Sequence, residues 1–440
     1  MSFKTNRPGF KEAFLFWLKL GFISFGGPAG QIAIMHEYVV EKKKWISEQK
    51  FMHALNYCML LPGPEAQQLA TYIGWLLHNI RGGLAAGLLF VLPSTIIMLI
   101  LSVTYVTFGK IPVVYSVFGG LKPAVTAIVL VALIKIAGKS LKNIFSYLFA
   151  SLSFVFIFFF HIPFPYIIIF TIIASVLLKD KSSGYFNAKI SAEAEREEEK
   201  KYFINKYTVS DHSDRSLKNA SVKIIIFLIL WAVPLLFFRA FSDNSIFMSE
   251  LILFFTKSAF ITFGGAYSVL TYIAQVAVEN YHWLSKLQMI DGLALGETTP
   301  GPLIMILSFV GFMAGYNNSD YSLMSGILCL ITTTYYTFLP SFFFIFTGAP
   351  FIEMTQHNEK IRNILNYVSA SVAGVILNLT VYIALAVIFP GGINSEDINY
   401  FGIVWMIISF AALYFYKINI VKWIAVSGAA GIIHYFIFSL

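Results

Sequence analysis

Residues 57–76 read YCMLLPGPEAQQLATYIGWL, and the Pro62-Gly63-Pro64 at their centre sets the problem of this chain. Each proline removes a backbone donor and clashes with the preceding turn, and the glycine adds freedom, so the tripeptide ends a helix. Yet apolar sequence approaches it from one side and leaves it on the other. Hydrophobic residues make up 58% of the 440 and charged residues 12%, about half the share expected of a soluble globular chain. Mean hydropathy is +0.73. Runs such as LLFVLPSTIIMLILSVTYVTF (88–108) and NIFSYLFASLSFVFIFFF (143–160) approach or exceed the roughly 20 helical residues that a bilayer core takes. Period-2 alternation of the barrel kind is absent, so the chain reads as all-α and polytopic. The break therefore falls inside apolar, membrane-bound sequence.

The break occurs twice. Gly26-Gly27 recurs 238 residues on as Gly264-Gly265, and the same offset carries Lys19 onto Lys257, Glu41 onto Glu279, Trp45 onto Trp283 and Pro62-Gly63-Pro64 onto Pro300-Gly301-Pro302. Between residues 17 and 64, 14 of 48 positions are identical without a gap. Pro93 matches Pro340 at an offset of 247, which also aligns AVTAIVL (from Ala124) with SVAGVIL (from Ser371). Internal similarity of this kind marks a repeat. The reading is residues 1–178 as one transporter repeat, 179–222 as a charged cytosolic linker, and 223–440 as the second repeat.

Charge sets the expected orientation. Lys4, Arg7, Lys11, the Lys42–Lys44 cluster, Lys50 and Arg81 flank the first two motif segments. Positive-inside bias keeps them on one side if each segment turns back at its Gly-Gly or Pro-Gly-Pro break. Crossings near 83–107, 112–134, 143–160, 162–178 and 223–241 then follow, and the second repeat begins outside. The expected fold is thus an all-α polytopic membrane protein of two inverted-topology repeats with broken or re-entrant helices, re-entrant or fully crossing motif segments remaining open. Lys110, outside in this scheme, fits it least.

Irregular backbone at membrane depth survives only when buried in protein or lining a watery cavity. A break also exposes the N–H groups of the following helix start, which favour anions. Two breaks at a repeat interface are the usual place for a carrier's substrate. The expected substrate-contacting set is Gly26, Gly27, Pro62, Gly63, Pro64, Gln67, Gln68, Lys122, Gly264, Gly265, Glu297, Pro300, Gly301 and Pro302. Lys122 is a cation deep in apolar sequence. Glu297 is an ionisable group at membrane depth, a proton-coupling candidate. Lys19 and Lys257 either face the site or mark the interface, and Trp45 and Trp283 fit aromatic anchoring at the membrane surface. Cys58 and Cys329 are too few and too far apart for a disulfide framework or metal cluster. No Walker loop or protease signature appears, so neither cofactor nor enzyme activity is expected. The net charge of +8 fits cytoplasmic loops better than nucleic-acid binding.

These motifs together carry a resemblance. FGGPAGQIAIMHEYVVEKKKWIS, LLPGPEAQQLATYIGW, RGGLAAGLLFVLPSTIIML and GLKPAVTAIVL, with FTKSAFITFGGAYSVL, ENYHWLS and GETTPGPLIMI in the second half, resemble the chromate ion transporter family in its long, two-domain form. The resemblance implies an inner-membrane carrier for oxyanions such as chromate, with sulfate as a relative. Where the family has Gln three residues before each Pro-Gly-Pro, this chain has Met59 and Glu297, and Ala266 and Thr271 replace a family Gly and Pro. The reading is a secondary oxyanion carrier working by alternating access, partnered by a small inorganic anion, protons as a candidate coupling ion, and lipid. An anion channel and an organic-anion carrier are the alternatives, and a homodimer is one option for assembly.

Overall fold

The apolar runs fold as helices in the computed structural model, which describes residues 8–25, 27–59, 61–109, 111–177, 199, 201–205, 217–242, 244–263, 266–352, 359–390 and 398–438. In chain order they are α1 (Phe10–Ile23), α2 (Gly27–His36) running into a π-helical turn (Glu37–Lys42), α3 (Glu48–Cys58), α4 (Glu65–Phe108), α5 (Pro112–Ser140), α6 (Ile144–Phe158) and α7 (Phe164–Leu177). The second part has α8 (Leu217–Phe241), α9 (Ser245–Ile261), α10 (Ala266–Gln275) with a π turn (Val276–Asn280), α11 (Lys286–Thr298), a 3-10 turn (Leu303–Met305), α12 (Ile306–Asn317), α13 (Leu323–Ile352), α14 (Glu359–Ile388), α15 (Tyr400–Tyr414) and α16 (Ile420–Phe438). Six helices among the described residues are long and apolar enough to cross a membrane. The protein is an all-α, multi-pass membrane protein.

Local chemistry fixes the helix starts. Ser47 caps α3 through the Lys50 N–H, and Ser285, 238 residues later, caps α11 in a reciprocal box with Gln288. Pro112 sits in the first turn of α5, where its missing donor costs nothing. α4 holds a second break: His78 and Asn79 leave helical geometry, and the segment before them folds back on the segment after. The small Gly74 and Gly82 permit it, since a Cβ on either would fall within 2.4 Å of the other's carbonyl oxygen.

The N-terminal segment doubles back twice. Glu12, near the start of α1, pairs with Lys43, just past the π turn, at 2.6 Å, and Phe16 stacks on Tyr38 at 3.9 Å. At 14 residues α1 is about 21 Å long, short of a bilayer's roughly 30 Å core. The second return ends at His78, whose Nε2 lies 2.8 Å from the Pro8 carbonyl and whose ring packs on Phe10. Both open ends therefore share the face that carries the start of α1. From there residues 80–108 run about 43 Å, enough to cross.

The expected crossings match helices, with two differences. α6 and α7, at 15 and 14 residues in their described extents, are each about 21–23 Å long, so they span less than the runs suggested. His161, with φ of +52°, and Pro163 end α6 early and start α7 late. α8 begins at Leu217, inside the stretch read as linker. Most of that linker, and Lys110, lie outside the described residues. Residues 203 and 204 are held against the first segment: Phe203 N–H donates to Lys44 O, Ile204 N–H to Trp45 O, and Ser47 N–H to Ile204 O. Trp45 and Trp283 are 4% and 2% exposed, packed inside the folded-back segments against Phe16 and Phe254, not at a membrane surface. Lys19 and Lys257 are both exposed.

The larger core gathers α5 and α9–α14, with α15 and α16 closing over α5. Gly120 on α5 meets Gly431 on α16 so closely that a Cβ on Gly120 would lie 1.9 Å from Ser427 O. Gly120→Val should cost about 1–3 kcal/mol by overpacking. A melting temperature of the detergent-purified variant equal to wild type would contradict this contact. Single cysteines at Lys11 and Lys43 should react with an impermeant maleimide from the same membrane face, against a low background because Cys58 and Cys329 are fully buried. Labelling from opposite faces would contradict the folded-back segment.

Candidate functional site

The two Pro-Gly-Pro stretches sit between helix ends: Cys58 closes α3 and Glu65 opens α4, while Thr298 closes α11 and Leu303 opens the 3-10 turn. Gly63 and Gly301 have φ of +123° and +90°, which L side chains rarely adopt. A break of this kind strands the peptide groups around it. The structure satisfies them from the other part of the chain. Gly63 N–H donates to Thr262 O at 2.8 Å, and Gly301 N–H donates to Ser24 O at 2.7 Å. Ser24 and Thr262 are again 238 residues apart, as are Gly63 and Gly301, so the two bonds are one contact made twice. Each Pro-Gly-Pro thus lies against the residue two before the other segment's Gly-Gly.

Side chains complete each junction. Ser94 Oγ donates to Pro300 O at 2.6 Å, and Gln31 Nε2 donates to Gly301 O at 2.5 Å. Gln68 Nε2 donates back to Pro62 O at 2.7 Å. A Cβ on Gly301 would fall 1.7 Å from Ser94 Oγ, and one on Gly63 would fall 2.7 Å from Ser341 Oγ. Ser94 and Ser341 each follow a Leu-Pro, and they are related by the offset of 247. The repeated Leu-Pro-Ser was therefore the available sequence signal for both serines, of which only the proline was used.

The amides within the two breaks are not free donors. The N–H groups of Gly63 and Gly301 are both paired to carbonyls, and the prolines have none. The donors left by helix geometry are the first-turn amides of α4, at Glu65, Ala66 and Gln67. Each junction also holds a hydroxyl: Ser341 at Gly63 and Ser24 at Gly301 are buried, and their Oγ atoms have no protein partner. The amide oxygens of Gln31, Gln67 and Gln68 are also buried and unpartnered. Buried polar atoms are normally paired, so these five, spread over the two junctions, mark polar surroundings inside apolar helices.

Of the other expected residues, Gly27 opens α2 with φ of +71°, and Gly26, Gly264 and Gly265 lie outside the described residues. Pro62, Pro64, Pro300 and Pro302 are buried. Gln67 and Gln68 are fully buried, and Gln67 Nε2 donates to Thr71 Oγ1 at 3.1 Å. Glu297 is buried and accepts from the Tyr267 hydroxyl at 2.8 Å. Lys122 is buried on α5 and faces Asp291 of α11, with Nζ 3.1 Å from Oδ1. Asp291 in turn accepts from the Tyr105 hydroxyl at 2.9 Å. Tyr267, Tyr105 and Asp291 were passed over in the sequence. Asp291 had the signal that singled out Glu297, an acid within an apolar helix.

A family model described as chromate transporter matches residues 11–177 and 249–432. An uncharacterized transporter of Methanocaldococcus jannaschii is 28% identical, covering 93% of this chain and 91% of its own length. A chromate transport protein of Pseudomonas aeruginosa is 26% identical over 96% of this chain and 92% of its own. Another, of Cupriavidus metallidurans, is 26% identical over 85% and 82%. No solved structure matches. With both of its apolar segments matched, the chain belongs to the chromate transporter family, a family of membrane transporters.

Proposed function

We propose that this protein is a secondary carrier of an inorganic oxyanion of the chromate and sulfate type, residing in the plasma membrane and working by alternating access. One observation carries the reading: Gly63 and Gly301 are each bonded to the opposite segment, so the two breaks form a single interface between halves. Names of full-length relatives supply the cargo class. The donors at the interface, the Ser24 and Ser341 hydroxyls and the first-turn amides of α4, suit an oxyanion, which accepts hydrogen bonds and carries no proton to give when fully ionised.

In this reading the halves are inverted repeats and the folded-back segments are re-entrant hairpins. Their mouths open on opposite faces. The first lies beside Pro8, Lys43 and His78. The second is a cleft of about 390 Å³ lined by Asn244, Tyr281, Trp283 and Asn318. The Lys42–Lys44 cluster puts the first mouth inside. Rocking one half against the other then opens the breaks to either side in turn. Glu297 sits where the first half has Met59. An ionised glutamate repels an oxyanion, so its Tyr267 hydrogen bond and its protonation govern what binds next to it.

Purified protein in proteoliposomes should show saturable chromate flux that is accelerated by chromate on the opposite side. Flux rising linearly with concentration and indifferent to the opposite side would establish a channel instead. Gly301→Ala forces a side chain onto Ser94 at a backbone angle it resists, and should lower that flux at least about tenfold. Ser94→Ala removes one buried donor, about 1–3 kcal/mol. In the double variant the loss at Gly301 should shrink, because the obstructing hydroxyl is gone. A double variant as poor as the sum of the singles would contradict the contact.

A further inference from the structure

The buried cluster of Lys122, Asp291 and Tyr105 lies away from the Pro-Gly-Pro junctions and joins the two halves. Lys122 stands ten residues into α5 and Asp291 five residues into α11, about 15 Å and 8 Å along their helices. Tyr105 is near the end of α4, so the cluster lies toward the α4–α5 turn, opposite the first hairpin mouth. Side-chain exposure is 11% for Lys122 and 6% for Asp291. Lys122 Nζ sits 5.5 Å over the ring of Tyr115, which is 60% exposed. Asp291 is also on the helix that leads to Glu297 and Pro300.

We infer that Asp291 is the proton-binding site coupled to oxyanion binding at Lys122. This rests on the oxyanion-carrier reading above. A lysine charge held in a dry interior needs one negative neighbour, and losing it leaves an uncompensated ion at large cost. Two negative groups beside one lysine repel each other. The site therefore holds either the Asp291 carboxylate or an oxyanion beside a protonated Asp291. Tyr105 donates to Oδ2 and so leaves Oδ1, the oxygen facing Lys122, to take the proton. Each oxyanion that displaces the carboxylate brings one proton, and neither half can complete the site alone.

The groups around the carboxyl allow this assignment. From α5 come Lys122 and, behind it, Tyr115; from α4 comes Tyr105. Among the described residues, α12, α14 and α16 place no titratable group against it. Tyr382 of α14 sits over Lys286, five residues before Asp291.

The test is chromate affinity of the full-length purified protein against pH, by titration calorimetry. Wild type should lose affinity as pH rises, with a slope about tenfold per pH unit steeper than Asp291→Asn through the range where Asp291 titrates. Chromate's own protonation is common to both proteins and drops out of the ratio. Lys122→Gln should weaken binding at least about tenfold at every pH. Equal slopes, or an unweakened Lys122→Gln, overturn the inference. Should Asp291→Asn fail to fold, Asp291→Glu keeps a titratable carboxyl, and its curve should be displaced along the pH axis; a curve superposing on wild type overturns it equally. Wild type that binds no chromate at any pH removes the carrier reading and the inference with it. That result differs from bound chromate with an unchanged slope.

Discussion

Two backbone hydrogen bonds, Gly63 to Thr262 and Gly301 to Ser24, hold the arrangement together. Inside a bilayer a peptide group without a partner costs several kcal/mol, and water is not at hand to supply one. A helix avoids the cost by pairing within itself. A Pro-Gly-Pro stretch gives up that solution and needs a partner from elsewhere. For both glycine amides the partner is the other half, at the position related by the internal repeat. Each half thus supplies the oxygen that the other half's break needs. The breaks do not face each other directly; each faces the approach to the other's Gly-Gly.

That constraint explains the short helices. α1, α2, α3, α10, α11 and α12 are each 10–14 residues long, too short to cross. α1 folds back on the turn after α2, α11 packs on α12, and longer helices cover the rest: α3 lies against α4 and α10 against α14. The close approach this requires is made by small residues. Gly21 of α1 lies so near α4 that a Cβ would meet Leu89 O at 2.3 Å, and Gly74, Gly82, Gly120 and Gly431 do the same elsewhere. Lipid supplies no hydrophobic drive between helices, so such van der Waals contact and the polar junctions carry the association.

Much of this was legible in the residues. The offset of 238 found both breaks and the Lys, Glu and Trp landmarks beside them, because proline and glycine leave a mark that helical periodicity does not. Charge placed Lys43 beside the N-terminus, and Glu12 is the partner that holds it there. The site was less legible. That the Gly63 and Gly301 amides bond across the halves depends on which oxygens the other segment brings, which no local pattern states. Asp291 was missed although it is as improbable in its helix as Glu297, since its counterpart, His53, breaks the repeat and draws the eye away from both. Trp45 and Trp283 looked like surface anchors because polar residues precede them; the folded-back geometry turns them inward.

The departures from symmetry matter as much as the symmetry. Two equivalent halves would offer the cargo the same surroundings from both sides. This chain makes them different. At the junction where the second half has Glu297 bonded to Tyr267, the first has Met59, which is 49% exposed, and Ala29. Lys122 has Ser369 as its counterpart, and Asp291 has His53. The acids thus lie on one helix, α11, and the buried lysine that answers them lies on α5 of the other half. The internal repeat relates the two breaks, and these substitutions, made in one half only, set them in different surroundings. α11 and α5 together bring Lys122, Asp291 and Glu297 into the approach to the second break, whereas α3 carries its charges, Glu48 and Lys50, in its first turn and ends beside Met59. That difference in electrostatic surroundings distinguishes the two breaks, although the same backbone contact is made at each.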